Sequence, residues 1–328
     1  MKNKSILVTG GAGMIGSNLV KKLASLGYDV HVYDNLWRGR LKNLLDEKQE
    51  AVIDLRTNFK KLDLAKCDLT KIKHPFFEAV IHLADVVAGI RYVFQNEHEI
   101  FNQNLRINTN LFSWVKTIRP RTLIYVGTAC SFPKELQNGL TAKKLREEQL
   151  YPAHPESAYG WSKLMGTYEC ELLSSETNIR VVNLIFHNVY GTPCDVGPRS
   201  QFIPATCLKI KKYPKENLVV WGSGKQQRAF LHVQDAVRAI LLGLDKGHDQ
   251  GPIQIGPSQA SSIRGIVKKL IKISKKKIEP TYNKKMPEGD KSRAADLTKA
   301  KKILGWQPEV PLDQGLQDVY EWVCRQKN

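Results

Sequence analysis

The chain has 328 residues, 42% of them apolar and 25% charged, an ordinary globular balance for one large domain or two unequal ones. A core of that size needs no disulfide or structural metal to fold. Lys and Arg number 50 against 32 Asp and Glu, so the net charge of +18 excludes a binder of polycations and leaves nucleic acid, an anionic surface or an anionic small substrate open.

Cys67, Cys130, Cys170, Cys194, Cys207 and Cys324 form no CxxC pair, and no Cys/His cluster has the spacing of a structural zinc site, so no metal is expected. Reduced thiols point to the cytoplasm. The N-terminal Met1-Lys2-Asn3-Lys4 passes directly into a strand, and no segment reaches the ~18 apolar residues of a membrane helix, so no membrane association is expected.

In chain order, Ser5 to Thr9 reads as a buried strand, Ile15 to Leu26 as an amphipathic helix closed by Gly27, and Tyr28 to Tyr33 as the next strand. This β-turn-α-β unit opens a Rossmann-type, doubly wound parallel sheet of the α/β class. Ala51 to Ile53 and Ala79 to Leu83 are further expected strands, with a helix at Phe101 to Lys116 and a strand at Thr122 to Gly127. Ser157 to Ser174 reads as a long helix, followed by a strand at Arg180 to Leu184. Past Tyr190 the alternation stops. A helix ends near Lys212, Leu218 to Trp221 is a strand, Val233 to Leu244 a helix, and Ile253 to Ile255, Ser261 to Ile273 and Lys299 to Leu304 are smaller elements. Residues 1–190 are therefore expected to form a dinucleotide domain and 191–328 a smaller mixed substrate subdomain, partly interleaved with it.

Gly10, Gly13 and Gly16 punctuate the first strand-helix junction. Glycine there permits a tight turn, close approach of backbone to a pyrophosphate and tight helix-sheet packing, with Met14 and Ile15 opening the helix beneath the phosphates. Asp34, 24 residues after Gly10, ends the second strand where a carboxylate accepts adenosine-ribose hydroxyls and repels the extra phosphate of NADP, so NAD is the expected cofactor. Arg38 and Arg40 lie close behind, and a plain strand-end turn is the alternative for Asp34-Asn35. Asp68-Leu69 is expected near the adenine, with an ordinary loop as the alternative; Leu83 marks where the cofactor crosses the sheet edge, and His82 before it reads equally as a strand residue.

Tyr159 and Lys163 are four apart on one helical face. A nearby ammonium favours phenolate, and such a tyrosine can take a hydroxyl proton while hydride leaves the same carbon for a nicotinamide; the pair is also expected to contact the cofactor, with Lys163 holding its ribose. Thr128 ends a central strand at the active edge of the sheet. Cys130, two residues on, is a base for a carbon acid beside a carbonyl or, equally, a small buried hydrophobe. Cys67, Cys170, Cys207 and Cys324 lack this context.

With Asn188-Val189-Tyr190-Gly191 and the Trp221-Gly222-Ser223-Gly224 run continued by Arg228, Phe230 and His232, these motifs resemble the extended short-chain dehydrogenase/reductases of the nucleotide-sugar epimerase and dehydratase class. Thr128-Ala129-Cys130-Ser131-Phe132-Pro133 and Val87-Ala88-Gly89-Ile90 resemble the GDP-mannose 3,5-epimerase and GDP-L-fucose synthase groups, and Pro287 to Arg293 the first. The resemblance implies that Cys130 deprotonates carbon beside a C4 ketone, that Gly89 lies in a substrate-facing loop, that Arg293 grips a nucleotide diphosphate, and that the chain is a homodimer.

Two positions depart from those groups. Pro193-Cys194 stands where the mannose epimerases carry a lysine acid, and Gln201 where the fucose synthases carry a histidine; Cys194, Asp195 or a water is the candidate replacement, with Cys194 preferred. Arg228 and Arg293 suit a diphosphate through forked, charge-assisted hydrogen bonds, with solvated surface pairs as the alternative. Asn188, Arg199 and Trp221 complete the expected substrate set, and Asn188 could equally cap a turn. Lys268 to Lys277, between Ile263, Ile266, Val267 and Leu270, reads as a surface helix with a core-facing stripe, not a nucleic-acid site. The helices Phe101 to Lys116 and Ser157 to Ser174 are expected to pair across a two-fold axis.

The resulting expectation is an NAD-dependent nucleotide-sugar epimerase working through a C4-keto intermediate on a GDP-linked hexose. The alternatives are a C4-epimerase, a 4,6-dehydratase, a 4-keto-6-deoxy-sugar epimerase/reductase or, outside catalysis, an NAD-sensing scaffold.

Overall fold

The computed structural model describes residues 4–286 and 288–326. Met1 to Asn3 of the N-terminal run, Pro287 of the Pro-Glu-Gly motif and residues 327–328 lie outside the described residues.

Strand β1 (Ser5–Thr9) shows why the central layer forms: Ile6 and Val8 enter one core, Leu7 the other, and all three are fully buried. An unbroken apolar run is what a strand covered on both faces requires. Helix α1 (Met14–Ser25) follows, then β2 (Asp29–Asp34), β3 (Phe59–Lys61) and β4 (Phe77–His82). Helix α2 (Glu97–Ile118) leads to β5 (Thr122–Thr128), and α3 (Ala158–Glu176) to β6 (Arg180–Phe186). Beyond residue 190 come α4 (Phe202–Lys212), α5 (Val233–Lys246), β7 (Pro252–Ile255), α6 (Ile263–Ser274) and α7 (Leu312–Arg325).

The seven strands are all parallel, in the order β7-β6-β5-β4-β1-β2-β3. The chain winds outward one way from β1 and the other way from β4, so a crevice opens at the carboxyl ends of these two neighbours. On one face Leu19, Val20 and Leu23 of α1 join Ala236, Val237 and Ile240 of α5. On the other, Ile107, Leu111, Phe112 and Val115 of α2 meet Cys170 and Leu173 of α3. Each fully buried side chain of this size contributes about 1.5–3 kcal/mol.

The second lobe has its own core, where α4, α6 and α7 bring together Ile203, Cys207, Ile266, Leu270, Leu316 and Val319. Short pairings tie it to the first lobe: Phe230–His232 beside Asn188–Tyr190, and Ala294–Ala295 beside Lys144–Leu145. Helix α5 and strand β7, though beyond residue 190, complete the main sheet and its cover. The lysines of α6 face away from its buried stripe; Lys269 pairs with Asp313 at 2.6 Å, and the Lys276 ammonium caps the carbonyls of Ile210, Lys211 and Tyr213.

Ala51–Ile53 is not a strand. Ala51 makes a single antiparallel bridge to Leu45, and the third strand is Phe59–Lys61. That strand carries two lysines and sits at the sheet edge, where little burial is needed and no apolar run marks it in sequence. The helix expected from Phe101 starts at Glu97, and the strand expected to end at Leu184 continues to Phe186.

Candidate active site

A cleft of about 850 Å³ occupies the crevice. At its floor Gly10 turns with φ of 68°, and a Cβ there would lie 2.9 Å from the Ala84 nitrogen. The ends of β1 and β4 thus touch, stitched by Thr9 Oγ1, which accepts the Leu83 and Ala84 amides at 3.2 and 3.3 Å. Gly13 caps α1 without a side-chain hydrogen bond, the first turn carries no acidic residue, and Gly13, Met14, Ile15 and Gly16 face the cleft. An uncapped helix N-terminus leaves amide donors aimed at a phosphate position. Asp34 closes this end, accepting from Ala12 N at 3.0 Å and Leu36 N at 2.7 Å, with Asn35 beside it in the cleft wall. Burial raises the Asp34 pKa against the pull of those two amides. Spare lone pairs on its oxygens suit ribose hydroxyls. These residues fit a dinucleotide: bare amides for the diphosphate and a carboxylate for the ribose.

Asp68 and Leu69 do not reach the cleft. The Asp68 carboxylate is turned to solvent, where it caps a short turn through Thr70 N at 3.1 Å, and Leu69 is buried in the second core. Leu62 and Leu64, directly after β3, line the cleft instead. His82 is structural: Nδ1 lies 2.7 Å from Thr9 Oγ1, Nε2 lies 3.1 Å from Asn108 Oδ1, and burial pushes its pKa down to about 3.

Thr128 and Cys130 follow directly from the end of β5, and the Thr128 hydroxyl accepts the Cys130 amide at 3.2 Å. Ser157 caps α3 by accepting Gly160 N, which places Tyr159 in the first turn and in the cleft wall. Lys163 lies one turn behind, 2% exposed, with Nζ 4.5 Å from the Tyr125 ring centroid. The expected ammonium-to-phenol effect is not the dominant one. Lys163 Nζ lies 3.4 Å from Asp85 Oδ2, and the Tyr159 hydroxyl donates to the same oxygen at 3.2 Å. Burial, then the charge of Asp85, holds the Tyr159 pKa well above that of free tyrosine, while burial lowers that of Lys163. Asp85 escaped the sequence reading. Its signal is a carboxylate three residues past the end of β4, at the point where the winding reverses.

On the opposite wall Arg293 is 4% exposed and embedded in side chains. Its Nη1 donates to Gln137 Oε1 at 3.0 Å and Asp290 Oδ2 at 2.6 Å, and its Nη2 to Cys130 Sγ at 3.3 Å. Burial lowers its pKa, but Cys130 and Asp290 outweigh burial and leave it raised. The guanidinium therefore serves the thiol directly, with only Nε unpartnered. Arg228 is the freer cation: it donates to the backbone carbonyls of Gln227 and Glu288, and burial followed by Arg293 lowers its pKa to about 10. Trp221, Asn188 and Gly89 line the same cleft. Gly89 is required by proximity, since a Cβ would meet the Ser200 carbonyl at 2.5 Å.

Arg199 stands outside the lining. Its Nη1 donates to the Trp37 carbonyl at 2.6 Å and its guanidinium stacks on the Trp37 ring, so it braces two loops. Cys194 lines the cleft but packs against the core of the second lobe, where burial pushes its thiol pKa up to about 12. Glu156 was not anticipated. It is exposed to the open cleft, accepts Asp290 N at 2.7 Å, and has a pKa pushed up to about 7 by partial burial and by Asp290.

A sequence profile described as the NAD dependent epimerase/dehydratase family matches residues 6–256. The chain is 27% identical over 327 residues to GDP-mannose 3,5-epimerase from Arabidopsis thaliana, covering 99% of this chain and 83% of that one. Among solved structures it is similar to UDP-glucose 4-epimerase from Thermotoga maritima with UDP-glucose (TM-score 0.84, 28% identity, 97% of this chain and 98% of that one). It is also similar to UDP-glucuronic acid 4-epimerase from Bacillus cereus in complex with UDP-glucuronic acid and NAD (TM-score 0.79, 27% identity, 97% and 98%).

Proposed function

The chain belongs to the NAD-dependent epimerase/dehydratase family as an enzyme of its nucleotide-sugar class, and on that premise we propose that it epimerises a GDP-linked hexose at a carbon beside C4, with Cys130 as the base. The observation that carries this reading is the 3.3 Å contact between Cys130 Sγ and Arg293 Nη2 in the cleft that also holds Tyr159 and Thr128. A buried guanidinium stands where the negative charge of a thiolate would form.

NAD, which the α1 amides and Asp34 would hold, would supply reversible hydride transfer at C4. Tyr159 takes the C4 hydroxyl proton, with Thr128 orienting that hydroxyl and Lys163 supplying positive charge behind the phenol. The resulting ketone acidifies the neighbouring C–H bonds. Cys130 removes one of these protons as thiolate and becomes a thiol; a second group protonates the carbon from the other face. A thiol near 12 makes Cys194 a poor donor, whereas the Glu156 carboxyl near 7 matches neutral pH. Arg228 is assigned to the diphosphate and Trp221 to the base or sugar, with Asn188 contributing its unpartnered, buried Oδ1.

The likeness to two 4-epimerases favours a second reading, in which C4 alone is inverted and Cys130 is a bystander. Turnover of a nucleotide-sugar panel in deuterated water separates the two. Deuterium at C3 or C5 without net cofactor reduction is the expected result, lost in Cys130→Ala; turnover with exchange at neither carbon overturns the Cys130 reading.

The same reading pairs α2 and α3 with those of a second copy, since Tyr168 and Leu172 of α3 are exposed apolar side chains. Light scattering that returns the mass of one chain refutes it. The reading places the enzyme in the cytoplasm, where its six unpaired cysteines remain thiols. Among the described residues no helix is long and apolar enough to cross a membrane.

A further inference from the structure

Gln137 has no part in the chemistry described above, yet its side chain joins the two segments that make the Cys130–Arg293 contact. It ends the short turn Lys134–Gln137, fully buried behind the cleft wall. Its Nε2 donates to the Phe132 carbonyl at 3.0 Å, just past Cys130, and its Oε1 accepts Arg293 Nη1 at 3.0 Å. Reversing the amide would set a donor against the guanidinium and an acceptor against a carbonyl, so the network admits one orientation. The Gln137 main-chain carbonyl accepts the amides of Lys291 and Ser292, both at 3.0 Å.

Arg293 has two partners besides the thiol, and they act differently. Asp290 precedes it on the same segment, so the Asp290–Arg293 pair at 2.6 Å travels with that segment and does not set its distance from Cys130. Gln137 belongs to the stretch that follows Cys130. Among the described side chains it is the one that hydrogen-bonds both this stretch and Arg293. The near side of the Cys130 turn is already fixed, by Thr128 Oγ1 on the Cys130 amide and by Ser131 Oγ on the Gly160 carbonyl. What is left to place is the guanidinium.

We propose that Gln137 is a positioning residue: its amide ties Arg293 to the segment that carries Cys130 and holds the guanidinium against the thiol. Nη1 is then taken by Gln137 and Asp290, and Nη2 by the sulfur at 3.3 Å. The site is buried, so water screens that charge poorly at the sulfur. The forked donor is directed at the base, which leaves the diphosphate to Arg228, whose own bonds go to main-chain carbonyls. The main-chain bonds from Gln137 to Lys291 and Ser292 do not depend on its side chain, so a substitution there tests the amide alone.

The inference deepens the reading of Cys130 as the base, but its test uses no sugar, so the two fail separately. Iodoacetate and iodoacetamide alkylate a thiol by the same displacement: the S–C bond forms, iodide leaves and the thiol proton goes to solvent. They differ in the negative charge of the first. Their rate ratio at Cys130, read from its peptide by mass spectrometry, reports the positive charge held at the sulfur. General loosening of the wall admits both reagents alike and leaves the ratio unmoved. In the wild-type protein the iodoacetate-to-iodoacetamide ratio is expected to exceed that of mercaptoethanol, an uncharged thiol. In Gln137→Met, which keeps the length but loses both hydrogen-bonding groups, it is expected to fall about two- to tenfold, the net worth of one hydrogen bond. Gln137→Asn, too short to span both partners, replaces it if the methionine variant loses its native circular dichroism. A ratio unchanged or raised in a folded Gln137 variant overturns the proposal, as does a wild-type ratio no higher than that of mercaptoethanol.

Discussion

The two walls of the cleft are built by different means. On the dinucleotide wall the polar work is done by backbone: the α1 amides, the Gly10 turn, and Asp34 held by the amides of Ala12 and Leu36. On the sugar wall it is done by side chains brought from far apart, as in Arg293 with Cys130, Gln137 and Asp290. Buried polar atoms there are left over: Asn188 Oδ1, Gln226 Oε1, Asp290 Oδ1 and Arg293 Nε have no partner among the described residues. Buried polar atoms without partners are costly unless something else completes them, and a ligand with many hydroxyls and phosphate oxygens does so. A backbone wall recognises what is common to every dinucleotide; a side-chain wall can be altered one residue at a time to suit a particular sugar. Tyr159 stands at the junction of the two.

The largest expected effect falls at that junction. Tyr159→Phe removes the proton acceptor and leaves the α1 amides and Asp34 intact. Turnover is expected to fall by about 10²–10⁴-fold. NAD affinity, measured by calorimetry, should stay within a few-fold of wild type. A variant that lost NAD binding instead would break the comparison, because the phenol would then belong to the dinucleotide wall.

Next in size is Arg293→Met. The Arg293–Asp290 pair lies at 2.6 Å with both side chains about 5% exposed, so the variant leaves a carboxylate buried without its closest cation. Breaking such a pair costs about 3–5 kcal/mol, with the lower end expected here because Arg228 remains nearby. Urea unfolding measures it. Lys269→Ala, which breaks an exposed pair of similar length with Asp313, is expected to cost less than about 1 kcal/mol. Equal losses in the two variants would mean that the sugar wall is no more tightly organised than the surface.

The same contrast explains what the sequence made legible. The glycines, Asp34 and the Tyr159/Lys163 spacing are local patterns, because a turn, a helix N-terminus and a helical face each form within a few residues. The strand Phe59–Lys61 was not legible, since two lysines on an edge strand carry no apolar signature. Nor was the partner of Cys130: Arg293 is 163 residues away, and its carboxylate partner, Asp290, was not singled out. Asp63-Leu64 and Asp68-Leu69 are alike as local patterns, and only the course of the chain after β3 brings Leu62 and Leu64 into the cleft. Arg199 belongs to the expected substrate set, but the fold sets its guanidinium over Trp37 as a brace, a pairing 162 residues apart that no local pattern carries.

A pH-dependent effect tests whether the sugar wall stores strain of its own. His187 lies in the cleft wall, 4% exposed, with Nε2 3.1 Å from Gln254 Oε1 and Nδ1 unpartnered. Burial, with a contribution from Arg293, pushes its pKa down to about 4. The unfolded chain therefore takes up a proton at this site below pH 6.5 while the folded chain does not. The site contributes its full stability above pH 6.5 and loses it as pH falls towards 4, at about 1.4 kcal/mol per pH unit. His187→Asn abolishes the titration, so the variant's stability should fall less steeply than the wild type's between pH 6 and pH 4, by about that slope. Carboxyls raised by burial, Glu169 among them at about 7, act oppositely in both proteins and cancel in the difference. Parallel pH profiles would show that His187 is protonated in the folded protein, and that the wall around Arg293 accepts a second positive charge.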